Sequence, residues 1–355
     1  MRHQGTAREK GKMKGRWILC LCGMALCTGC ATQIRVNMLQ PAEYHEASLT
    51  KTVAVMPFAG PDGQAVAAEF EAVLGGINID EKQYFTVVDR SAIDKTVSEL
   101  KLGQSGLVDA GTAAKIGDLV GAQGIYTGVV TQSAWNDSRY QETRQECAAR
   151  EIKRDARGKL TEGSCISWRS RPVSCIRRVA TFACSPKLIE VRTGKVLYTH
   201  NLTGSADAAA CQDGRPLPGG PELLDKAQEQ VKAQFRKDIA PHYVTRQITL
   251  MDDTAGMTST EAKDRLKQGL EYADKGRMDQ ACEHWGTARV LSPNAPSVLY
   301  DLGVCAESRG DFDAALCLYR EADRQLGKPE DRITLALGRM NEAIKNRKKL
   351  QEQLK

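Results

Sequence analysis

Cysteine and histidine are the side chains in this sequence most able to hold a metal or attack a substrate, and their spacing bounds the chemistry. The 355 residues include twelve cysteines and five histidines. Cys20, Cys22, Cys27 and Cys30 are confined to the N-terminal end; the other eight are Cys147, Cys165, Cys175, Cys184, Cys211, Cys282, Cys305 and Cys317. None of those eight forms a Cys-x-x-Cys pair, and His45, His200, His242 and His284 are scattered, so no zinc ligand set is expected. No histidine stands in a recognisable spacing with a nucleophile. Gly-x-x-x-x-Gly-Lys-Ser/Thr loops, Gly-x-Ser-x-Gly elbows and His-Glu-x-x-His helices are missing as well. The expectation is a chain with no catalytic residue, metal or cofactor. In an oxidising compartment, eight cysteines read first as a disulfide framework.

The N-terminal end points to such a compartment. Lys10, Lys12, Lys14 and Arg16 precede a short apolar run from Trp17 to Leu26, and small residues lead to Cys30. That layout is a secretory signal, too short for the roughly 20 apolar residues of a membrane-spanning helix. Thr28-Gly29-Cys30 resembles the lipobox of bacterial lipoproteins, with Cys27 where leucine is usual. The resemblance implies a signal over 1–29, acylation of Cys30, and attachment to the periplasmic face of the outer membrane, with Ala31 compatible with that sorting. Ordinary secretion with another cleavage site is the alternative, and Met13 could serve as the start in place of Met1. Several acyl chains hold a protein stably where a single one does not. The formal charge of +6 sits mostly in the signal, where six Lys or Arg face Glu9 alone. Removing that net +5 leaves +1, and a nearly neutral chain has no general electrostatic claim on nucleic acid.

Behind the anchor, 30–51 reads as a polar tether with Pro41 in it. Strands are expected over Thr52 to Phe58, Phe85 to Arg90 and Gly124 to Val130, with helices over Ala65 to Leu74, from Ser91 to about Lys101, and over Thr112 to Leu119. Such alternation argues for an α/β or α+β sandwich, here over 52–245. Val53-Ala-Val-Met-Pro-Phe58, Phe85-Thr-Val-Val-Asp-Arg90, Glu99 with Gly106 and Asp109, Ala113-Ala-Lys-Ile-Gly117 and Gly121-Ala-Gln-Gly-Ile-Tyr-Thr-Gly128 follow one pattern. Together they resemble the CsgG family of outer-membrane lipoproteins, named for the curli secretion channel and related to LpoB-type activators of peptidoglycan synthases. The resemblance spans roughly residues 50–205. Gly117, Gly121 and Gly128 are expected to permit tight turns and close helix–sheet approach.

Ile176 to Arg192 and Lys195 to Leu202 read as a hairpin around Thr193-Gly194, with Val191 opposite Val196 and Ile189 opposite Tyr198. Carried back, this register brings Cys175 within one residue of Cys211; a bulge absorbs the difference, and a Cys175–Cys211 bridge is predicted. Cys147–Cys165 is the second expected bridge, closing a solvated loop in a Cys/Arg-rich insertion over 131–175. In the CsgG channel, insertions in this part of the domain become membrane hairpins. Here Arg139 to Arg178 holds eleven Lys or Arg and five Asp or Glu, and a charge on a barrel's lipid face costs ~2–4 kcal/mol at mid-membrane. A pore is therefore not expected from this stretch, and a basic patch for an acidic partner or an anionic glycan is the sharper alternative to a bland loop.

A helix from Glu222 to about Ile239 and a linker over 246–257 lead to an internal repeat over 258–355. Gly269, Tyr272, Gly276, Ala281, Trp285 and Ala288 recur 34 residues on as Gly303, Ala306, Gly310, Ala315, Tyr319 and Ala322. The period resembles two tetratricopeptide repeats, started by a Thr258–Glu261 capping box and closed by a helix from Pro329 to Leu354. Packed neighbours in such stacks would bring Cys282 to Cys305, leaving Cys184 and Cys317 unpaired. The resemblance implies a concave surface on which Asp274, Tyr300, Val304 and Glu307 would meet a periplasmic protein. Three functions follow from these resemblances: an envelope-assembly or export adaptor, a homo-oligomeric channel subunit, and an activator of a peptidoglycan synthase.

Overall fold

The computed structural model of the chain describes residues 32–89 and 110–355. Cys30, the helix expected from Ser91, and Glu99, Gly106 and Asp109 lie outside these residues. The chain begins with β1 (Gln33–Gln40), α1 (His45–Leu49), β2 (Thr52–Val55), α2 (Gly63–Gly75), β3 (Asn78–Ile79), β4 (Lys82–Gln83) and β5 (Thr86–Val87). It continues through α3 (Ala110–Val120), β6 (Gly124–Arg154), β7 (Leu160–Glu190), β8 (Val196–Thr199), β9 (Leu202–Cys211), α4 (Gly220–Ile239) and β10 (His242–Thr249). Five helices complete it: α5 (Thr260–Asp274), α6 (Met278–Leu291), α7 (Pro296–Ser308), α8 (Phe312–Leu326) and α9 (Asp331–Gln353).

The main sheet has the order β5-β2-β6-β7-β8, with β9 also paired to β7. Strand β2 runs parallel to β5 and β6 and is apolar at every buried position because both its faces are covered. Val53 and Val55 pack beneath Val66, Phe70 and Leu74 of α2 and Val231 and Phe235 of α4, while Ala54 and Met56 meet Ile116 of α3 on the other face. Leu223, Ala227, Val231, Phe235 and Ile239 recur every four residues on α4, or nearly so, which gives that helix its single apolar stripe. The glycines act as expected. A Cβ on Gly117 would stand 2.2 Å from Val191, one on Gly128 2.5 Å from the Ser185 carbonyl, and Gly121 turns the chain at φ 73°.

Four expectations are corrected. Residues 131–175 are not a loop: β6 and β7, 31 residues each, pair antiparallel from Gly124↔Glu190 out to Arg154↔Leu160. The β7–β8 register is Leu188↔Tyr198 and Ile189↔Val196, with a bulge between them. Leu188 and Ile189 are both buried, one in each layer, so an apolar face alone cannot choose the register there. Residues 32–51 are not the expected tether. Ile34, Val36 and Met38 alternate with exposed neighbours along β1 and turn inward, and β1 pairs with β10 from Gln33↔Thr249 to Gln40↔His242. Nor is 246–257 a free linker: it holds the end of β10, then buried Leu250, Met251 and Met257.

The helices α5 to α9 pack in sequence as antiparallel neighbours. Gly269 lies against Trp285 and Gly303 against Tyr319; a Cβ would approach those rings to 2.2 Å and 2.5 Å. The 34-residue spacing is therefore a repeated small-against-large contact between paired helices. The cap of α5 is Ser259, whose hydroxyl accepts from Ala262 N, rather than Thr258 in a box with Glu261. At its far end α9 reaches the α/β domain. Gln353 Oε1 accepts from Ala42 N (2.8 Å), and its backbone carbonyl accepts from Tyr84 Oη (2.9 Å) and Lys51 Nζ (2.7 Å).

Candidate functional site

The nearest approach to a catalytic pairing is at the C-terminal end of α4. Asp238, 1% exposed, accepts from Tyr198 Oη at 2.9 Å and Gln234 Nε2 at 2.8 Å, and its Oδ2 lies 2.6 Å from His200 Nδ1. Burial and the Asp238 charge push the Tyr198 phenol far up, away from ionisation. Among the described residues no hydroxyl or thiol is hydrogen-bonded to the other nitrogen of His200. The cluster ties α4 to β8, and it has no nucleophile to activate.

The largest chemically organised surface is the ribbon of β6 and β7 beyond Tyr140↔Cys175, the rung at which β9 ends. Strand alternation sorts its side chains by charge. One face carries Glu142, Arg144, Glu146, Arg169 and Arg171, to which the loop after β9 adds Asp213. Arg144 pairs with Glu142 (3.4 Å) and Asp213 (3.1 Å); Arg171 pairs with Glu146 (3.3 Å) and Asp213 (3.4 Å); Arg169 pairs with Glu146. Three guanidinium groups meet three carboxylates, so this face is neutral as a whole. The opposite face presents Gln141, Thr143, Gln145 and Ser170, with Gln145 donating to Ser170 at 2.9 Å. Closer in, Arg178 pairs with Asp137 (2.7 Å) and holds its carboxyl below the usual range, and Arg177 pairs with Asp207 (2.9 Å). Asp137, Asp207 and Asp213 thus offset half of the excess of basic residues in this stretch. Period-two charge at 142, 144 and 146 was the signal for a strand that a search for an apolar face passed over.

All three expected bridges are formed: Cys147–Cys165 across the outer ribbon, Cys175–Cys211 joining β7 to β9, and Cys282–Cys305 joining α6 to α7. Cys184 and Cys317 are unpaired; burial pushes the Cys184 thiol up to about 12, and Cys317 is exposed. Glu142 stands beside Cys175 and Cys211, but both sulfurs are consumed in their bridge, which leaves one carboxylate and no ligand set.

The expected concave binding surface is corrected. Tyr300 is 1% exposed and donates to the Thr249 carbonyl (3.2 Å), Val304 is 0% exposed, and Glu307 is 2% exposed. Glu307 accepts from Arg339 Nε and Nη2 (2.8 and 2.9 Å) and Tyr319 Oη (2.6 Å). The side of the helical layer where a peptide was expected is filled from within by Ile34, Val36 and Met38 of β1 and by α9. Of the four residues only Asp274 is exposed. It pairs with Lys275 (2.9 Å) on the rim of a cleft of about 590 Å³ that also includes Thr32, Asp252, Lys263 and Lys267.

Residues 76–142 match the family model described as the curli production assembly/transport component CsgG. No curated protein matches the chain. Among solved structures, the LpoB C-terminal domain from Salmonella enterica is 13% identical, with 46% of this chain and 84% of that one covered, at a TM-score of 0.24. Lipoprotein GNA1162 from Neisseria meningitidis is 13% identical, covering 52% and 97%, at 0.27. A PelC dodecamer from Paraburkholderia phytofirmans is 13% identical, covering 57% and 96%, at 0.22. The motifs read from Val53 to Gly128 overlap this family match over residues 76–128, and in that part of the α/β domain the chain is similar to the CsgG family.

Proposed function

We propose that the chain is a lipid-anchored, non-enzymatic component of cell-envelope assembly or export, held by Cys30 at the periplasmic face of the outer membrane and working by protein contact. The observation that carries this reading is the outer ribbon. Fourteen residues of β6, from Gln141 to Arg154, pair only with β7 and leave a backbone edge open on each side. An isolated two-stranded hairpin is marginal in water; Cys147–Cys165 stabilises it by about 3 kcal/mol through the loop it closes. A stapled ribbon with open edges is a pairing template for another polypeptide. The family match supports envelope assembly as the setting, and among the described residues no helix is long and apolar enough to cross a membrane. We read the two 34-residue repeats as tetratricopeptide units whose concave side is spent internally, which leaves the cleft beside Asp274 as their partner-facing surface.

A photocrosslinking residue placed at Thr143 or Gln145 in intact cells tests this. The expected result is one or a few envelope proteins captured through the ribbon, and absence of any reproducible adduct there refutes the reading. A second reading, a homo-oligomeric channel subunit, is favoured by the ribbon's charge sorting, since a barrel needs a polar inner face and an uncharged outer one. Gln141, Thr143 and Gln145 make that outer face uncharged yet hydrogen-bonding, which weighs against lipid contact. Negative-stain images of detergent-extracted protein decide between them, rings with a central pore favouring the channel.

A further inference from the structure

The last third of the ribbon departs from the neutral ladder behind it. Between Ile152 and Leu160 the strands turn through Asp155 to Gly158, and Arg154, Arg157 and Lys159 make no ion pair among the described residues. Asp155 is the one acid among them. Its Oδ1 is taken up in accepting from Arg157 N and Lys159 N, each at 2.9 Å, so it shapes the turn. Exposed apolar side chains run out along the ribbon to the same end: Trp168 (62%) opposite Cys147, Ile166 (67%) two residues nearer the turn, then Ile152 (69%) and Leu160 (58%) at the turn itself. Nearer the body, on the rungs from Gln141↔Ser174 to Glu146↔Arg169, no large apolar side chain is exposed. Unpaired cations are therefore confined to the tip, about 46 Å along the strand from the last rung of β9 at ~3.3 Å per residue, and bulky apolar groups to the outer half of the ribbon, from the Cys147↔Trp168 rung outward.

We propose that this tip is a membrane-contact element that docks on an anionic lipid surface. A bilayer interface takes Trp, Ile and Leu into the headgroup–acyl boundary while lipid phosphates meet Lys and Arg, and it admits an element to a depth of roughly 5–10 Å. One layer of two strands fits that depth. An acidic protein would satisfy Arg154, Arg157 and Lys159 but gives no reason for the exposed apolar residues beside them. Cys147–Cys165 fixes the spacing of the strands just behind the tip, so little chain entropy is lost on docking. The contact adds to an acyl anchor where one is present, and that clause rests on the reading of Cys30 above; the docking itself does not.

The test uses the mature chain with Cys30→Ser, which carries no acyl group, and Trp135→Phe, so that Trp168 reports while Trp285 stays buried. It is sedimented with vesicles of phosphatidylcholine alone or with phosphatidylglycerol at 30 mol%. Each cation near an anionic surface is worth about fivefold in binding. Binding to the anionic vesicles with a blue shift of Trp168 emission is expected, and Arg154→Gln/Arg157→Gln/Lys159→Gln should weaken it about a hundredfold. Ile152→Ser/Leu160→Ser should abolish the shift, with unchanged circular dichroism and an intact Cys147–Cys165 bridge as folding controls. Equal binding to both vesicle types, wild-type binding by the triple variant, or binding to soluble polyglutamate but to neither vesicle would overturn the proposal. Because the acyl group is absent, each of those results leaves the anchor and the ribbon-edge contacts to be judged by their own experiment.

Discussion

Replacing Arg339 by leucine tests whether Glu307 is a core residue or a surface one. Glu307 is 2% exposed, and three of its contacts are charge-assisted or neutral hydrogen bonds from Arg339 Nε, Arg339 Nη2 and Tyr319 Oη. Arg339→Leu removes two of the three and leaves a carboxylate in an apolar layer with one donor. Breaking a buried pair from one side costs about 3–5 kcal/mol, whereas replacing both partners by apolar groups is often close to neutral. Urea unfolding followed by far-ultraviolet circular dichroism, with disulfides kept oxidised, should show that loss for Arg339→Leu. Adding Glu307→Leu should return most of it. A loss under about 1 kcal/mol, or a double variant as unstable as the single one, would refute the reasoning and restore Glu307 as a candidate for partner contact.

Other outcomes follow from the same structure. Cys282→Ser with Cys305→Ser should cost about 3 kcal/mol from the 23-residue separation it closes, read as a lower urea midpoint of the helical layer. Gly303→Ala should cost about 1–3 kcal/mol, since its Cβ would sit 2.5 Å from the Tyr319 ring and overpack the contact. Burial lowers the pKa of His242 against the hydrogen bond from its ring to the Ala240 carbonyl, with Lys237 and Arg236 adding to the lowering and Glu43 opposing it. The unfolded chain then binds the extra proton, so stability should fall as pH drops below about 6.5, and His242→Gln should lose less in thermal melts across that range. Burial raises the pKa of Asp301 well above normal, against the Met251 amide and the Arg332 charge and with Asp252 adding to it. Its folded form holds the proton to higher pH than the unfolded one, which ionises above about pH 4, so the group costs stability as pH rises past that point. Asp301→Asn, which keeps an acceptor for Met251 N, should therefore melt higher than wild type at neutral pH and lose that advantage near pH 4.

Legibility in the sequence followed how local each signal was. The bridges were readable because a cysteine pair needs only approximate proximity, which a hairpin register off by one supplies for Cys175–Cys211, a repeat period for Cys282–Cys305, and two cysteines bracketing one segment for Cys147–Cys165. The long ribbon was not, because its strands bury almost nothing and alternate charge with neutral polarity, so a search for apolar faces returned a loop. The same error made 30–51 a tether: Ile34, Val36 and Met38 alternate correctly, but their partner strand lies more than 200 residues away. That distant pairing also explains the failed prediction about Tyr300, Val304 and Glu307. Repeat spacing suggests which helical positions share a side; it says nothing of what fills that side. Here β1 fills it. A concave layer closed by a strand that starts three residues after Cys30 cannot also hold a peptide without expelling Ile34, Val36 and Met38, and β1 is zipped to β10 along eight rungs. Any contact that the proposed function assigns to these helices would therefore use their outward faces, where Asp274 is the one predicted residue still accessible, and a peptide that competed for the filled side would have to unzip β1 from β10.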